Sequence, residues 1–182
     1  IETVKLTVPE GFTNDEIAEL FDERFIFFNH ESFLSLAPQG YLFPDTYFVP
    51  VTATASSTIT LMRNNFEREI SSVVEEIEHS DHPLTDIINM AAILEEEVKG
   101  EEDKKIAAGI LWKRLALNMP LQVDSDPLTY NHTGFPPRPI VNPGLESIEA
   151  ALHPTTTPYL YFLTGDDGAM HYSRTFDEHV AK

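Results

Sequence analysis

Apolar and polar residues alternate at the start of the chain. Val4, Leu6 and Val8 flank Lys5 and Thr7 in the period-two pattern of a half-buried strand. Pro9-Glu10-Gly11 turns the chain. Thr13-Asn14-Asp15-Glu16 then has the form of a capping box, in which the Thr13 hydroxyl accepts from the Glu16 backbone and the Glu16 carboxylate reaches back. A short amphipathic helix follows, with Ile17, Leu20 and Phe21 on one face, and a second helical stretch is expected over 28–36, ended by Pro38-Gln39-Gly40. The aromatics and prolines of Tyr41 to Pro50 predict an extended, packed loop in place of a regular element. Ile59, Met62, Phe66, Ile70, Val73 and Ile77 recur every three or four residues and predict one long amphipathic helix. Its outer face, Glu67, Glu69, Glu75, Glu76 and Glu78, reads as solvated surface.

Two further helices are predicted, over 84–98 and over 104–117, the latter carrying Ile106, Ile110 and Leu111 inward. The proline-rich stretch 120–143 reads as loop, and 145–152 as a short helix. Tyr159 to Leu163 and Met170 to Ser173 form two strands of a hairpin around Gly165-Asp166-Asp167-Gly168. Thr175-Phe176-Asp177-Glu178 is a second capping box, opening a terminal helix. Neither an internal repeat nor a low-complexity tract interrupts this succession. The expected class is α+β: a helical core with small β-hairpins or sheets.

Composition narrows the function. Thirty acidic against twelve basic residues give a net charge of −18, which excludes electrostatic capture of nucleic acid or an anionic membrane surface. A hydrophobic share of 42% with 23% charged residues is a globular balance, and 182 residues make one domain or two small ones. The absence of cysteine removes disulfides, thiol nucleophiles and thiolate metal sites. No apolar run is long enough to span a membrane. The chain opens at Ile1, as a processed protein or a piece of a longer one would, so a natural anchor is expected to lie outside it.

One carboxylate sits where a surface charge should not. On helix 84–98, Leu84, Ile87, Ile88, Ala91, Leu94 and Val98 share one side, and Glu95 falls within about 40° of Leu84, Ile88 and Ala91. Glu96 and Glu97 are expected to point away to solvent. A carboxylate aimed into a core is either satisfied structurally, with Arg114 or Arg138 as candidate partners, or it is functional. Burial of a carboxyl disfavours its ionised form and leaves a proton to donate near neutrality, which is what glycosidic cleavage needs. Periodicity does not choose between these readings.

Ala91-Ala92-Ile93-Leu94-Glu95-Glu96-Glu97 and Ile106-Ala107-Ala108-Gly109-Ile110-Leu111-Trp112-Lys113-Arg114-Leu115 resemble the YceG-like (MltG) endolytic murein transglycosylases. So do Met119-Pro120-Leu121-Gln122-Val123-Asp124, Asn142-Pro143-Gly144 and Tyr159-Leu160-Tyr161-Phe162. Gly40-Tyr41-Leu42-Phe43-Pro44-Asp45-Thr46-Tyr47 is similar to the family's signature loop, and His171-Tyr172-Ser173 with Glu178-His179 to its closing motif. The likeness runs in order from about residue 40 to 181. It implies a catalytic domain over 38–182, preceded over 1–37 by a partial LysM-like subdomain.

The resemblance also implies the chemistry: cleavage of the MurNAc-β-1,4-GlcNAc bond within glycan strands, without water, leaving 1,6-anhydroMurNAc ends. On it, the catalytic acid/base is Glu95, the first glutamate after the Ala-x-Ile stretch. Gln122, Asp124, Tyr41, Tyr47, Asn142, Tyr161 and His171 are its expected substrate-binding residues. No cofactor is implied. A metal site built on His171 and His179 is not expected, because no carboxylate stands at ligand spacing beside them. Peptidoglycan and its synthases are the implied partners, at the outer face of the cytoplasmic membrane, with membrane attachment only through an N-terminal anchor absent from this chain. The alternatives are a non-catalytic peptidoglycan-binding or scaffold protein on the same fold, and a hydrolytic muramidase, which needs a second carboxylate to activate water. Three positions depart from the family pattern: Gln39 and Glu96 stand where glutamate and lysine are usual, and the segment 125–134 is short.

Overall fold

Two small antiparallel ladders bracket a helical core in the computed structural model, which describes residues 2–182. The order is β1 (Thr3–Thr7), α1 (Asn14–Asp22), α2 (His30–Leu36), β2 (Thr46–Pro50), α3 (Ala55–Ile70), α4 (Val74–His79), α5 (Leu84–Glu97) and α6 (Glu101–Ala116). A 3₁₀ turn (Pro127–Tyr130), α7 (Leu145–Leu152), β3 (Tyr161–Thr164), β4 (Met170–Ser173) and α8 (Phe176–Val180) complete it. This is the α+β arrangement expected. No helix among the described residues is long and apolar enough to cross a membrane.

The capping box of α1 forms as predicted, with the Thr13 hydroxyl accepting from Glu16 N at 3.2 Å and Glu16 Oε2 accepting from Thr13 N at 2.8 Å. Two predictions fail. The stretch from Tyr41 is without a regular element only as far as Asp45, after which Thr46–Pro50 is a strand that pairs with β1, Leu6 opposite Tyr47 and Val4 opposite Val49. The long helix predicted through Ile77 breaks after Ile70, where the hydroxyls of Ser71 and Ser72 bond back to the carbonyls of Arg68 and Glu69 at 2.5 and 2.7 Å. Serine side chains there compete with the helical ladder.

Two apolar clusters hold the chain together. The N-terminal one joins Leu6, Val8, Ile17, Phe21 and Phe33 to Leu42, Val49 and Met62, so its packing continues past residue 37 into β2 and α3. The second is centred on α5, whose Ile87, Ile88, Met90, Ala91, Ala92, Ile93 and Leu94 are all buried. α5 packs against α6 and α7, and Trp112 of α6 donates to Ala151 O at 3.0 Å. The buried run 90–94 goes fully round the helix and makes that stretch of α5 the centre of the domain, while Thr85 and Glu96 nearer its ends are exposed. That property decides where its glutamates go.

Candidate active site

Glu95 lies on the side of α5 that meets the start of α7. Its side chain is 9% exposed, and its two oxygens are occupied by donors. Lys104 Nζ approaches Oε1 at 3.4 Å, while Oε2 accepts from Gly144 N at 3.0 Å and from the Ser147 hydroxyl at 2.7 Å. Gly144 is the N-cap of α7 and Ser147 lies in its first turn, so Glu95 caps that helix from outside. Lys104, itself 6% exposed, is shared with Glu146 at 3.0 Å. The buried carboxylate is therefore satisfied, by a lysine, a backbone amide and a serine, and not by Arg114 or Arg138. Glu10 approaches the same cluster, and burial, followed by the negative charge of Glu95, holds its carboxyl above the ordinary value.

Glu97 is two residues on, about 200° around the helix. It does not point away to solvent: it is half-buried, and its Oε1 accepts from Ser125 N at 2.7 Å. It forms one wall of a cavity of about 370 Å³ together with Arg114, Gln122, Asp124, Tyr130 and Tyr161. β3 closes one side with Phe162, Leu163 and Thr164, and α8 adds Phe176 and His179. Of the residues expected to bind substrate, Gln122, Asp124 and Tyr161 meet here. Glu95 does not line this cavity.

The cavity floor is built to hold its shape. Arg114, in the last turn of α6, is 4% exposed; it donates through Nη2 to Gln122 Oε1 at 2.5 Å, and its guanidinium lies 5.2 Å from the centre of the Tyr161 ring. Its Nε has no hydrogen-bond partner among the described residues, and burial pulls the guanidinium below its ordinary value while leaving it a cation. Gln122 has a left-handed backbone, φ 54°, a conformation that costs a non-glycine residue about 1 kcal/mol. Such strain is held in place by its surroundings, here the bond from Arg114 and that from Gln122 N to Thr129 O at 3.2 Å. Asp124 Oδ1 accepts from the Tyr130 hydroxyl at 2.6 Å, and this bond, with burial, pushes the Tyr130 phenol up to about 12. Tyr161 also stacks on His179, ring centres 5.3 Å apart.

Three of the other residues expected to bind substrate, Tyr47, Tyr41 and Asn142, make contacts within the fold. Tyr47 is buried, donating to Phe43 O and accepting from Asn65 Nδ2 at 3.0 Å. Tyr41 packs edge-on against Phe66 at 5.3 Å. Asn142 is 1% exposed and uses its whole hydrogen-bonding capacity on the protein. Its Oδ1 accepts from Gly40 N and Leu42 N at 2.8 and 3.1 Å, and its Nδ2 donates to Phe12 O and Asn14 Oδ1 at 2.9 and 3.0 Å. His171 stands on the outer hairpin, 3.6 Å from Asp167 Oδ1, and does not line the cavity.

Gln39, where the family usually has glutamate, accepts from Asn14 N at 2.8 Å and donates to Ile140 O at 2.6 Å. An ionised glutamate accepts only and could not make the second bond. Glu96 is exposed, its carboxyl held above the ordinary value by partial burial and by Glu16, Glu95 and Glu97 in that order.

Comparison with known proteins agrees with this fold. A relative from Bacillus subtilis named endolytic murein transglycosylase is 32% identical over 164 residues, 78% of this chain and 46% of the relative. One of the same name from Streptococcus pneumoniae is 25% identical over 236 aligned positions, 96% of this chain and 43% of the relative. The 236 positions exceed the 182 residues available by 236 − 182 = 54, so the pneumococcal protein carries insertions that this chain lacks. The chain thus spans less than half the length of the curated relatives it matches. A crystal structure of a YceG-like protein from Listeria monocytogenes superposes with a TM-score of 0.90 at 26% identity, covering all of this chain and 76% of the other. With residues 1–127 and 128–182 both matching the family's pattern, the chain belongs to the YceG-like family.

Proposed function

We propose that the protein is an endolytic lytic transglycosylase acting on the MurNAc-β-1,4-GlcNAc bond inside peptidoglycan strands, in the cell envelope, with Glu97 as its acid/base. The observation that carries this reading is the Glu97 carboxylate on the wall of a cavity lined by Gln122, Asp124 and Tyr161. The names of the relatives supply the reaction class. Glu95 is the weaker candidate on geometry, because Lys104, Gly144 N and Ser147 already engage both of its oxygens. The LysM-like reading of residues 1–37, as a glycan-binding neighbour of the cleft, belongs to the same proposal.

In the reaction, the Glu97 carboxyl gives its proton to the glycosidic oxygen as the C1–O bond breaks. The C6 hydroxyl of the same muramyl residue then attacks C1, and its proton passes to the Glu97 carboxylate, which restores the acid. One carboxyl serves both steps because the nucleophile belongs to the substrate. Holding that hydroxyl beside C1 makes the attack intramolecular, which lowers the barrier by several kcal/mol. Tyr161, braced by Arg114 and by the stacked His179, lines the cavity beside the place a pyranose would take. Asp124 and Gln122 offer polar atoms for sugar hydroxyls.

Digestion of purified peptidoglycan, with the sugar termini identified by mass spectrometry, tests this. Anhydromuramyl ends are expected, and Glu97→Gln should slow their formation about 10²- to 10⁴-fold while the folded protein persists. Glu95→Gln should lose stability and retain most of its turnover when folded. The reverse pattern would return the acid role to Glu95. Reducing ends would mean hydrolysis, and binding without cleavage would mean a scaffold.

A further inference from the structure

Part of the lining of the Glu97 cavity is polar, with Gln122 and Asp124, and part is aromatic, with Tyr161, Phe176 and His179. The three rings form one cluster. Tyr161 lies 5.3 Å from His179 and 5.9 Å from Phe176, and Phe176 lies 6.4 Å from His179, centre to centre. Phe176 is nevertheless 59% exposed and belongs to neither apolar cluster of the fold. The short helix that carries it is held at both ends. The Thr175 hydroxyl accepts from Glu178 N at 3.2 Å, Glu178 Oε2 accepts from Arg174 N at 2.9 Å, and Lys182 Nζ donates to Tyr172 O. The two rings of α8 are thus displayed at the cavity on a fixed support.

His179 has one nitrogen to offer. Its Nδ1 is buried without a partner among the described residues and is closed to a ligand. A proton on Nδ1 would make a buried N–H with no acceptor, so the neutral ring carries it on Nε2. Nε2–H is then a donor on a ring that lines the cavity. Charge narrows what it can meet. Glu97 and Asp124 share the cavity on a chain of net charge −18, which disfavours an anion, and a cation would meet the buried guanidinium of Arg114. A neutral ring with one apolar face and an acceptor oxygen suits both side chains. On an N-acetylated sugar the acetamido carbonyl is the plainest such acceptor, because each hydroxyl is also a donor.

We propose that Phe176 and His179 form a subsite for an N-acetylated pyranose of the glycan strand, beside the bond that Glu97 serves. Phe176 packs on the apolar face of the sugar, and His179 Nε2–H donates to its acetamido oxygen. Placing that sugar in a strand under cleavage rests on the transglycosylase reading.

Calorimetric titration of the full chain with tetra-N-acetylchitotetraose, a neutral β-1,4-linked probe, tests the subsite apart from peptidoglycan cleavage. Cellotetraose, with the same linkage and no acetamido groups, is the control. Phe176→Ala should weaken both probes about tenfold, and Phe176→Tyr should restore most of the loss. His179→Phe keeps a ring and removes the donor. It should weaken the acetylated probe about tenfold and leave cellotetraose within about twofold. No binding of the acetylated probe by the wild type, unchanged binding in F176A, a loss that F176Y does not recover, or equal effects on the two probes in H179F overturns the proposal. With peptidoglycan, F176A should raise KM more than it lowers kcat. Failure of the wild type to cleave any strand sinks the transglycosylase reading and leaves the titrations standing. Oligosaccharide binding indifferent to both residues sinks the subsite and leaves cleavage standing.

Discussion

Replacing Asn142 by alanine should cost this fold a large part of its stability. The side chain is enclosed where three separate stretches of chain meet: Phe12–Asn14 at the start of α1, the loop at Gly40–Leu42 and its own Asn-Pro-Gly turn. It makes four hydrogen bonds, all to groups of the protein. At about 1 kcal/mol for each, the loss comes to about 4 kcal/mol, since the backbone N–H groups of Gly40 and Leu42 are left without an acceptor. Gly40 is packed closely at this point: its φ is 90°, and a Cβ added there would lie 2.5 Å from Pro139 Cβ. For a chain of this length, about 4 kcal/mol lowers Tm by roughly 8–16 °C. Urea unfolding with an unchanged m-value, together with a thermal scan, measures both quantities.

Asn142→Asp sharpens the same test. The acceptor to Gly40 and Leu42 survives, but the donor is replaced by an oxygen facing Phe12 O and Asn14 Oδ1. Ionisation of a buried carboxyl there is unfavourable, so its folded pKa must lie above its unfolded one. The folded state then holds more protons, and N142D should lose stability as pH rises through the ordinary carboxylate range. A loss below about 1 kcal/mol in N142A, or an N142D curve parallel to wild type between about pH 4 and 7, would refute the clasp.

Gly109→Ala should also destabilise, although glycine to alanine within a helix normally gains about 1 kcal/mol. A Cβ at Gly109 would lie 2.0 Å from Thr155 O, and Thr155 is itself tied to Lys105 O by a 2.9 Å bond, so about 1–3 kcal/mol of overpacking is expected by urea unfolding and a gain would refute it. Glu10 gives a pH prediction. Its carboxyl is held above the ordinary value of 4.5, first by burial and then by Glu95, so the native state binds more protons than the unfolded one and stability from this group falls as pH rises. Glu10→Gln should therefore flatten the decline above the ordinary carboxylate range and raise stability at pH 7; curves that stay parallel across that range would show that the group is not strained.

The local elements were legible in the sequence because their signals are local. α7 spans the predicted residues, and the Thr13 capping box closes as its spacing requires. β2 was not legible, because Thr46–Pro50 becomes a strand only by pairing with β1, some forty residues away. The break at Ser71 needed the hydroxyl geometry of Ser71 and Ser72, which apolar spacing through Val73 and Ile77 conceals. Among the residues marked by motif, Gln122, Asp124 and Tyr161 share one cavity, whereas Tyr47 and Asn142 are enclosed by their own fold. A sequence motif marks a residue that the family's architecture uses, and both kinds of use leave the same letter in the chain.

The glutamates of α5 show where reasoning from a helical face reaches its limit. That reasoning divides a helix into an inner and an outer side, which suits a surface helix. α5 lies at the centre of the domain, so the direction opposite the apolar stripe leads under the Leu121–Ser125 stretch and not into bulk water. Glu95 and Glu97, on nearly opposite sides, then meet different neighbours. At 9% exposure Glu95 looks like a buried acid, but a lysine, a backbone amide and a hydroxyl already satisfy it, and its position at the start of α7 makes it a cap. Glu97 receives one backbone N–H and faces a cavity with room for a sugar. An acid that must exchange protons with a substrate needs an oxygen left free to reach it. Burial by itself is therefore a poor marker of catalysis, and the better one is a carboxylate whose hydrogen-bonding capacity the protein leaves incomplete on the side of a cavity.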